Sequence, residues 1–229
     1  MHIPDGWVDL PTSTAAAGIA VAGTGVAVRR ANVAFRERVT TLPAVIAAYL
    51  LVAQLLVIPV GLGTSAHLIG TGLAALLVGP EVTIVCVAAV VVVQALLLAD
   101  GGVTAIGLNV INDGLAPALV TWSLFLLAGP LARSPRRQAL LGGAAAGVGS
   151  LAAAGLAAAA FAIGGTDVVP ALTVATAIGG AHLVIAIAEA ALTAAILATV
   201  LHLRPDLVRA TWTPAARAEP APDPEVTRA

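Results

Sequence analysis

Charged residues are scarce in this chain of 229 residues, and lysine is absent. Only 10% of the residues are charged and 59% are hydrophobic, and the mean hydropathy is +1.02. These values lie far outside the range of an ordinary soluble domain. The chain is therefore predicted to be an integral membrane protein, and no nucleic-acid partner is expected.

Cysteine is almost as rare, because the chain has only Cys86, which lies inside an apolar run. A single thiol cannot form an intramolecular disulfide, so the cysteine content does not indicate the redox compartment. We interpret Cys86 as a small core residue, since free cysteine is commonly buried.

Apolar segments long enough to cross roughly 30 Å of hydrocarbon fill most of the chain. Segments of this length favour a helical bundle over a β-barrel, whose strands would alternate over about ten residues. The predicted fold class is all-α, with about seven transmembrane helices in one bundle. The predicted helices cover approximately residues 12–28, 41–60, 64–78, 81–99, 108–127, 138–163 and 170–202.

The arginines gather in three places, at residues 29–38, 133–137 and 204–228. By the positive-inside rule, these places face the cytoplasm. An even number of crossings must then separate the first two clusters, which makes the short stretch 64–78 a crossing. The amino terminus is predicted to lie outside, the carboxyl terminus in the cytoplasm, and the whole chain in the cell membrane as a multi-pass protein.

The chain is predicted to hold one transmembrane domain, residues 1–202, followed by a tail at 203–229. The tail repeats proline and alanine and is expected to be a disordered cytoplasmic extension. At the other end, acidic residues and prolines interrupt the first eleven positions, so no cleaved secretory signal is expected.

A histidine in second position brings three nitrogen donors within reach of one metal ion. The α-amine of Met1 and the deprotonated amide and imidazole of His2 would form two fused chelate rings. His67 is predicted at the outer end of the third helix, on the same side as His2, so the two imidazoles can meet. Four nitrogens in a plane suit Ni(II) and Cu(II), with Co(II) near them in affinity. A buried structural histidine is the alternative interpretation of each position.

Four sequence motifs resemble the CbiM/NikM family of cobalt/nickel uptake proteins. They are Met-His-Ile-Pro-Asp-Gly at 1–6, Gly-Thr-Ser-Ala-His-Leu at 63–68, Gln-Ala-Leu-Leu-Leu-Ala-Asp-Gly-Gly at 94–102 and Gly-Leu-Asn-Val-Ile-Asn at 107–112. That family is the substrate-binding (S) component of energy-coupling factor (ECF) transporters. The resemblance runs in register to about Leu201 and leaves the tail outside it.

The resemblance implies a seven-helix protein whose amino terminus inserts into the bundle. Co(II) or Ni(II) would be the transported substrate, held by Met1, His2 and His67, with no permanent cofactor. The implied partners are a transmembrane coupling (T) subunit, a pair of cytosolic ATPases and a small auxiliary membrane subunit, all within membrane lipid. The chain would then be a transport subunit rather than an enzyme, with ATP hydrolysis supplied by its partners.

Further polar residues match the family near the outer face and are candidates for orienting the metal ligands. Ordinary hydrogen bonding between helices is the alternative role. Asp113 departs from the family pattern, which more often has an apolar residue there, and a carboxylate at that depth is costly enough to suggest a role or a partner. The matching residues are Gln94, Asp100, Asn109 and Asn112.

His182 and Glu189 are seven positions apart in the last predicted helix, two turns along one face. As intramembrane ionisable residues they are candidates for a polar pair that couples to protons or to a partner subunit, or for hydrogen bonding between helices. In the sixth helix, Gly143 and Gly147 have the four-residue spacing that permits close helix contact.

Two other functions stay open. An intramembrane hydrolase would need a nucleophile and a base, for which Ser150 and His182 are the candidates. A metal-independent structural membrane subunit would need neither His2 nor His67. Within the metal-binding interpretation, the motifs do not separate cobalt from nickel, because both metals accept the same nitrogen donors.

Overall fold

The computed structural model describes residues 2–37, 41–61 and 64–210. Eight α-helices and one β-hairpin occur in these ranges, and the predicted all-α class is confirmed. A π-helical turn at Ile111–Leu115 joins α5 to α6 in one continuous helical segment. The elements are α1 Leu10–Glu37, α2 Leu42–Gln54, β1 Val57–Gly61, β2 Thr64–His67, α3 Thr71–Val78, α4 Pro80–Leu97, α5 Ile106–Val110, α6 Ala116–Ala128, α7 Pro135–Gly164 and α8 Ala171–Leu203.

Five helical segments of the described chain are long and apolar enough to cross a membrane. Large apolar side chains such as Leu97 and Ile163 are more than three-quarters exposed, at 76% and 79%, as expected for surfaces that face lipid. The chain is thus a multi-pass membrane protein. The five segments cover residues 10–32, 80–97, 106–128, 135–164 and 171–203.

The structure differs from the sequence prediction in the region of the hairpin. The second helix ends at Gln54 instead of Val60, and the predicted helix 64–78 is wrong in its first part, which forms β2. β1 and β2 pair antiparallel, with Val57 opposite His67. Valine, isoleucine and proline dominate β1, and these residues favour an extended chain. A short apolar run does not by itself distinguish a buried strand from a helix.

The first basic cluster also differs from its prediction as a loop. Helix α1 continues to Glu37, so Arg29, Arg30 and Arg36 lie on its last turns, while Arg38 lies outside the described residues. Residues 29–37 contain neither glycine nor proline, and arginine is a good helix former, so nothing local ends the helix earlier.

Helices α7 and α8 form a long packed pair in which glycine allows close approach. A Cβ at Gly147 would lie 2.8 Å from the carbonyl oxygen of Ala186, and one at Gly143 would overlap the carbonyl oxygen of Ala190. The close helix contact predicted for both glycines is confirmed, and it is made within the bundle.

Residues that follow α8 return to the bundle at the junction of α3 and α4. The amide of Arg209 donates to the carbonyl of Leu77 at 3.1 Å, and its guanidinium donates to the carbonyl of Val78 at 3.2 Å. The same guanidinium lies 3.3 Å from the Glu81 carboxylate. Residues 204–210, which the sequence interpretation assigned to the tail, therefore pack on the bundle, and residues 211–229 lie outside the described part.

The amino-terminal segment packs at the opposite end, between the α4–α5 and α7–α8 connections. The Asp9 amide donates to the carbonyl of Gly164 at 2.6 Å, and the Thr166 amide donates to the carbonyl of Trp7 at 3.2 Å. The Trp7 and Phe161 rings are 4.7 Å apart. The segment that carries His2 is thereby held against the bundle.

Candidate metal site

Asn109 anchors the backbone next to His2. Its side-chain oxygen accepts from the Ile3 amide at 2.8 Å, and its side-chain nitrogen donates to the Ile3 carbonyl at 3.1 Å. The Gly102 amide donates to the same carbonyl at 2.9 Å. A side-chain amide that bonds both groups of one residue replaces the strand partner that this segment lacks. Asn109, predicted to help orient the ligands, therefore acts through the peptide beside His2.

A second anchor joins Asp5 to Thr104 in the α4–α5 connection. The Thr104 amide and hydroxyl both donate to Asp5 Oδ1, at 2.7 Å and 2.6 Å. Both bonds stabilise the ionised carboxyl and hold the pKa of Asp5 below its ordinary value. The bond from the Thr104 hydroxyl makes the larger contribution. A Cβ at Gly102 would overlap the backbone of Asp5. The α4–α5 connection and the amino-terminal segment can therefore approach this closely only because residue 102 is glycine.

His2 and His67 meet inside the bundle, with ring centroids 4.5 Å apart and ring planes tilted by 36°. Both are buried, with exposed fractions of 3% and 0%. His67 lies at the end of β2 rather than at a helix end, and its Nδ1 is 3.0 Å from the Leu68 carbonyl. A carbonyl only accepts, so Nδ1 carries the proton and Nε2 is the nitrogen with a lone pair for a metal.

The His2 ring lies between two carboxylates. Its Nδ1 is 3.0 Å from Asp100 Oδ1, and its Nε2 is 3.7 Å from Asp113 Oδ2. The hydrogen bond from the imidazole lowers the pKa of the Asp100 carboxyl, which lies outside the membrane-spanning helices. A carboxylate that holds one ring nitrogen fixes the tautomer and directs the other nitrogen towards a metal.

Asp113 reaches the histidines from the π-helical turn and is 0% exposed. Donor atoms of His2, His67 and Asp113 all lie within 4.8 Å of one another. The backbone carbonyl of Asp113 also accepts a hydrogen bond from the Thr71 hydroxyl, which ties this turn to the start of α3. Two imidazoles and one carboxylate are a donor set suited to a first-row transition metal.

Gln94 and Asn112, the other residues predicted to orient the ligands, make no side-chain hydrogen bond to the histidines in the described structure, and only the backbone of Gln94 supports the site. The backbone carbonyl of Gln94 accepts from the Asp100 amide at 3.0 Å and shapes the turn that carries Asp100. The side-chain amides of Gln94 and Asn112 are buried and have no hydrogen-bond partner within the described part of the chain. Met1, the remaining predicted ligand, lies outside the described residues.

His182 and Glu189 are both buried in α8, and each has a partner of its own. His182 Nδ1 lies 3.0 Å from the Ile178 carbonyl one turn earlier. The Glu189 carboxylate accepts from the Ile69 and Gly70 amides, the latter at 2.7 Å. This link to the turn after His67 has no signature in the sequence, because it joins residues about 120 positions apart.

Ser150 and His182 are not arranged as a nucleophile and base. The Ser150 hydroxyl and His182 Nε2 are both buried and lack a hydrogen-bond partner among the described residues, while His182 Nδ1 is directed to Ile178. Catalysis by this pair would need the hydroxyl and the imidazole within hydrogen-bonding reach. The geometry therefore does not support the hydrolase interpretation.

Comparison with known proteins places the chain among metal transporters. The family model described as CbiM, cobalt uptake substrate-specific transmembrane region, matches residues 2–207. A relative from Haloquadratum walsbyi is 35% identical over 213 residues, covering 91% of this chain and 93% of its own length. The fused nickel transport protein NikMN from Rhodobacter capsulatus is 32% identical over 71% of this chain.

This chain spans less than half of that fused protein, 47% of its length. A crystal structure of a truncated transition metal transporter superposes with a TM-score of 0.80 at 28% identity, covering 88% of this chain and 99% of the other. The similarity to that structure extends over nearly the whole described bundle.

Proposed function

The chain belongs to the CbiM family of cobalt uptake substrate-specific transmembrane proteins. From that premise, we propose that it captures Co(II) or Ni(II) as the S component of an ECF transporter. The metal is the transported substrate. His2 and His67 supply imidazole nitrogens, and the α-amine of Met1 supplies a further nitrogen. ATP hydrolysis, and with it the work of transport, is supplied by partner subunits.

The observation that carries this proposal is the meeting of His2 and His67. Sixty-five positions separate them in the sequence, yet their rings are 4.5 Å apart in a buried site. Two imidazoles at this separation are good ligands for a first-row transition metal.

Binding through the terminal amine depends on the orientation of the His2 ring. In a fused chelate, Nδ1 of His2 binds the metal together with the amide and the amine. Nδ1 lies against Asp100 in the structure, so this chelate forms only if the imidazole turns about its Cβ–Cγ bond. In the orientation present, Nε2 is the nitrogen that faces Asp113.

Capture also requires movement of the segment that covers the site. His2 is only 3% exposed, and the bonds of Ile3 and Asp5 to the α4–α5 connection close the outer end. A metal ion reaches the histidines when this segment or the loop at Asp100 moves away. The same bonds reform over the bound ion and retain it.

Delivery into the cell is proposed to need partners. These are a T subunit, two cytosolic ATPases and a small auxiliary membrane subunit, with reorientation of this chain in lipid as the transport step. Co-expression with these subunits should give ATP-dependent uptake of radioactive cobalt or nickel, and omission of the ATPases should abolish it. ATP-independent accumulation at the same rate would contradict the partner assignment.

Metal binding itself is tested by calorimetry on the full chain purified in detergent with its native Met1. The wild type is expected to bind one Co(II) or Ni(II). His2→Ala and His67→Ala should each weaken binding by more than about 100-fold, beyond the 10–100-fold usual for residues outside the metal ligands. His202→Ala is the matched control, since His202 is exposed at the far end of α8.

A wild-type protein that binds neither metal would refute the proposal. Uptake that survives replacement of both His2 and His67 would instead support a metal-independent structural subunit.

A further inference from the structure

We propose that Asp113 is an oxygen ligand of the captured metal and that it shifts the preference of the site from nickel towards cobalt. The inference rests on the proposed metal capture and adds to it a specific residue and a direction of selectivity. It starts from a carboxylate that is fully buried within the apolar helical segment 106–128.

The π-helical turn gives Asp113 its position. Residues Ile111–Leu115 adopt this wider turn between α5 and α6, and Asn112, Asp113 and Gly114 within it are all buried. π-helical turns inside longer helices occur frequently at functional sites. The hydrogen bond from the Thr71 hydroxyl to the Asp113 carbonyl fixes the turn against α3, which follows the strand of His67. The Asp113 backbone is therefore held close to the histidine site.

The distances suit a shared ion. Two donors that each lie about 2.1 Å from one metal can be at most about 4.2 Å apart. Asp113 Oδ2 and His2 Nε2 are 3.7 Å apart, inside that limit. The widest separation among the donor atoms of His2, His67 and Asp113 is 4.8 Å or less. Small side-chain rotations, closing about 0.6 Å, would bring all three donors onto one ion.

Charge gives a second reason. Imidazole and amine ligands are neutral, so even with a deprotonated His2 amide the bound ion keeps at least one positive charge inside an apolar bundle. A buried carboxylate offsets part of that charge, and the ion in turn offsets the cost of burying the carboxylate. Asp113 is 0% exposed, so water does little to screen this attraction.

Selectivity follows from the change in coordination. A plane of four nitrogens is the arrangement in which Ni(II) and Cu(II) are most favoured. A carboxylate bound together with His2 Nε2 and the His67 imidazole makes a mixed nitrogen and oxygen site, and it keeps the His2 ring out of the orientation that the four-nitrogen plane requires. Ni(II) then loses the advantage of its square-planar form, while Co(II) readily takes five or six mixed ligands. Asp113 should therefore narrow or reverse the preference for nickel.

The test compares wild type with Asp113→Leu and Asp113→Asn. Affinities for Co(II) and Ni(II) are measured by competition, and the magnetism of the Ni(II) complex is measured by NMR. In Asp113→Leu the ratio of cobalt to nickel affinity should fall about tenfold, in line with effects on tuned metal sites. The Ni(II) complex should change from paramagnetic in wild type to diamagnetic in the variant, because without the carboxylate the His2 ring can turn so that Nδ1 completes the nitrogen plane.

Asp113→Asn keeps the size and one oxygen donor but removes the charge, so its cobalt preference should lie between the other two. If gel filtration and circular dichroism show that Asp113→Leu does not fold, the metal affinities of Asp113→Asn are compared with those of wild type instead. Asp167→Asn, in the exposed α7–α8 connection, is the control and should change neither readout.

A diamagnetic wild-type Ni(II) complex, or an unchanged metal ratio in both Asp113 variants, would overturn the inference while leaving metal capture intact. Failure of the wild type to bind either metal would refute the proposed function instead.

Discussion

The Glu189 carboxylate accepts a hydrogen bond from the backbone amide of Gly70, with Oε1 2.7 Å from the nitrogen. The same oxygen accepts from the amide of Ile69. These amides lie between His67, at the end of β2, and the first turn of α3. Helix α8 thus fixes the turn that follows His67. Glu189 is about 120 positions from this turn in the sequence, so no local pattern indicates the contact.

Replacement of Glu189 by alanine should destabilise the protein and weaken metal binding together. It leaves two buried amides without an acceptor, at about 1–3 kcal/mol for each. Glu189→Gln keeps an acceptor oxygen and is the matched variant, which should retain most of the stability. Thermal unfolding in detergent and calorimetry with Co(II) measure the two effects. Equal stability of Glu189→Ala and wild type would contradict the role given to this carboxylate.

An extension before Met1 should impair metal binding as severely as loss of a histidine. The proposed α-amine ligand becomes an amide when a residue is added, and an amide nitrogen is a poor ligand unless it is deprotonated. A tag at the carboxyl end is the control, since that end is far from His2 in the sequence. Calorimetry on both forms makes the comparison, with an extension of several residues, because a single added residue would place His2 third from a new α-amine and create another chelate. Full affinity with the longer extension would exclude the amine as a ligand.

The meeting of His2 and His67 was predictable from the sequence because topology alone constrains it. Clustered arginines predict the cytoplasmic side, and parity, with residues 64–78 counted as a crossing, predicts that both histidines lie at the same end of the bundle. The structure confirms their contact at a 4.5 Å ring separation. Apolar length predicted the five long helical segments of the described chain. It did not predict that α1 continues to Glu37 or that residues 64–78 form β2 and the short helix α3.

Other features depend on contacts that no local pattern carries. Hydrophobicity alone could not show that the second predicted helix ends in β1, because Val57–Gly61 is as apolar as the helix before it. The π-helical turn that directs Asp113 also has no sequence signature of its own. Asp113 was noticeable only as a charge in an apolar segment, and its neighbours became known from the fold.

Removal of the Asp100 carboxylate should weaken metal binding by roughly 10–100-fold. Asp100 lies 3.0 Å from His2 Nδ1 and holds the ring in one orientation. Asp100→Asn keeps the shape but makes a weaker partner for the imidazole, so part of the orientation is lost. Competition titrations with Co(II) and Ni(II) provide the measurement. Equal affinity of Asp100→Asn and wild type for both metals would contradict an orienting role for this carboxylate.

The bond between Asp5 and Thr104 should make closure of the outer end depend on pH. The pKa of Asp5 is lowered in the folded protein, chiefly by the Thr104 hydroxyl. The stabilisation is therefore complete above the ordinary carboxyl pKa and is lost as pH falls through the lowered, folded-state value.

Thermal unfolding of wild type and Asp5→Asn across this acidic range should show the effect. The asparagine variant cannot titrate at this position, so its Tm should lie below that of wild type at neutral pH. The two curves should converge as the wild-type carboxyl is protonated. Thr104→Val keeps the backbone bond to Asp5 but removes the hydroxyl, and it should give a smaller difference at neutral pH. A gap between wild type and Asp5→Asn that stays constant down to the lowest pH would show that Asp5 stabilises the segment by its shape and not by its charge.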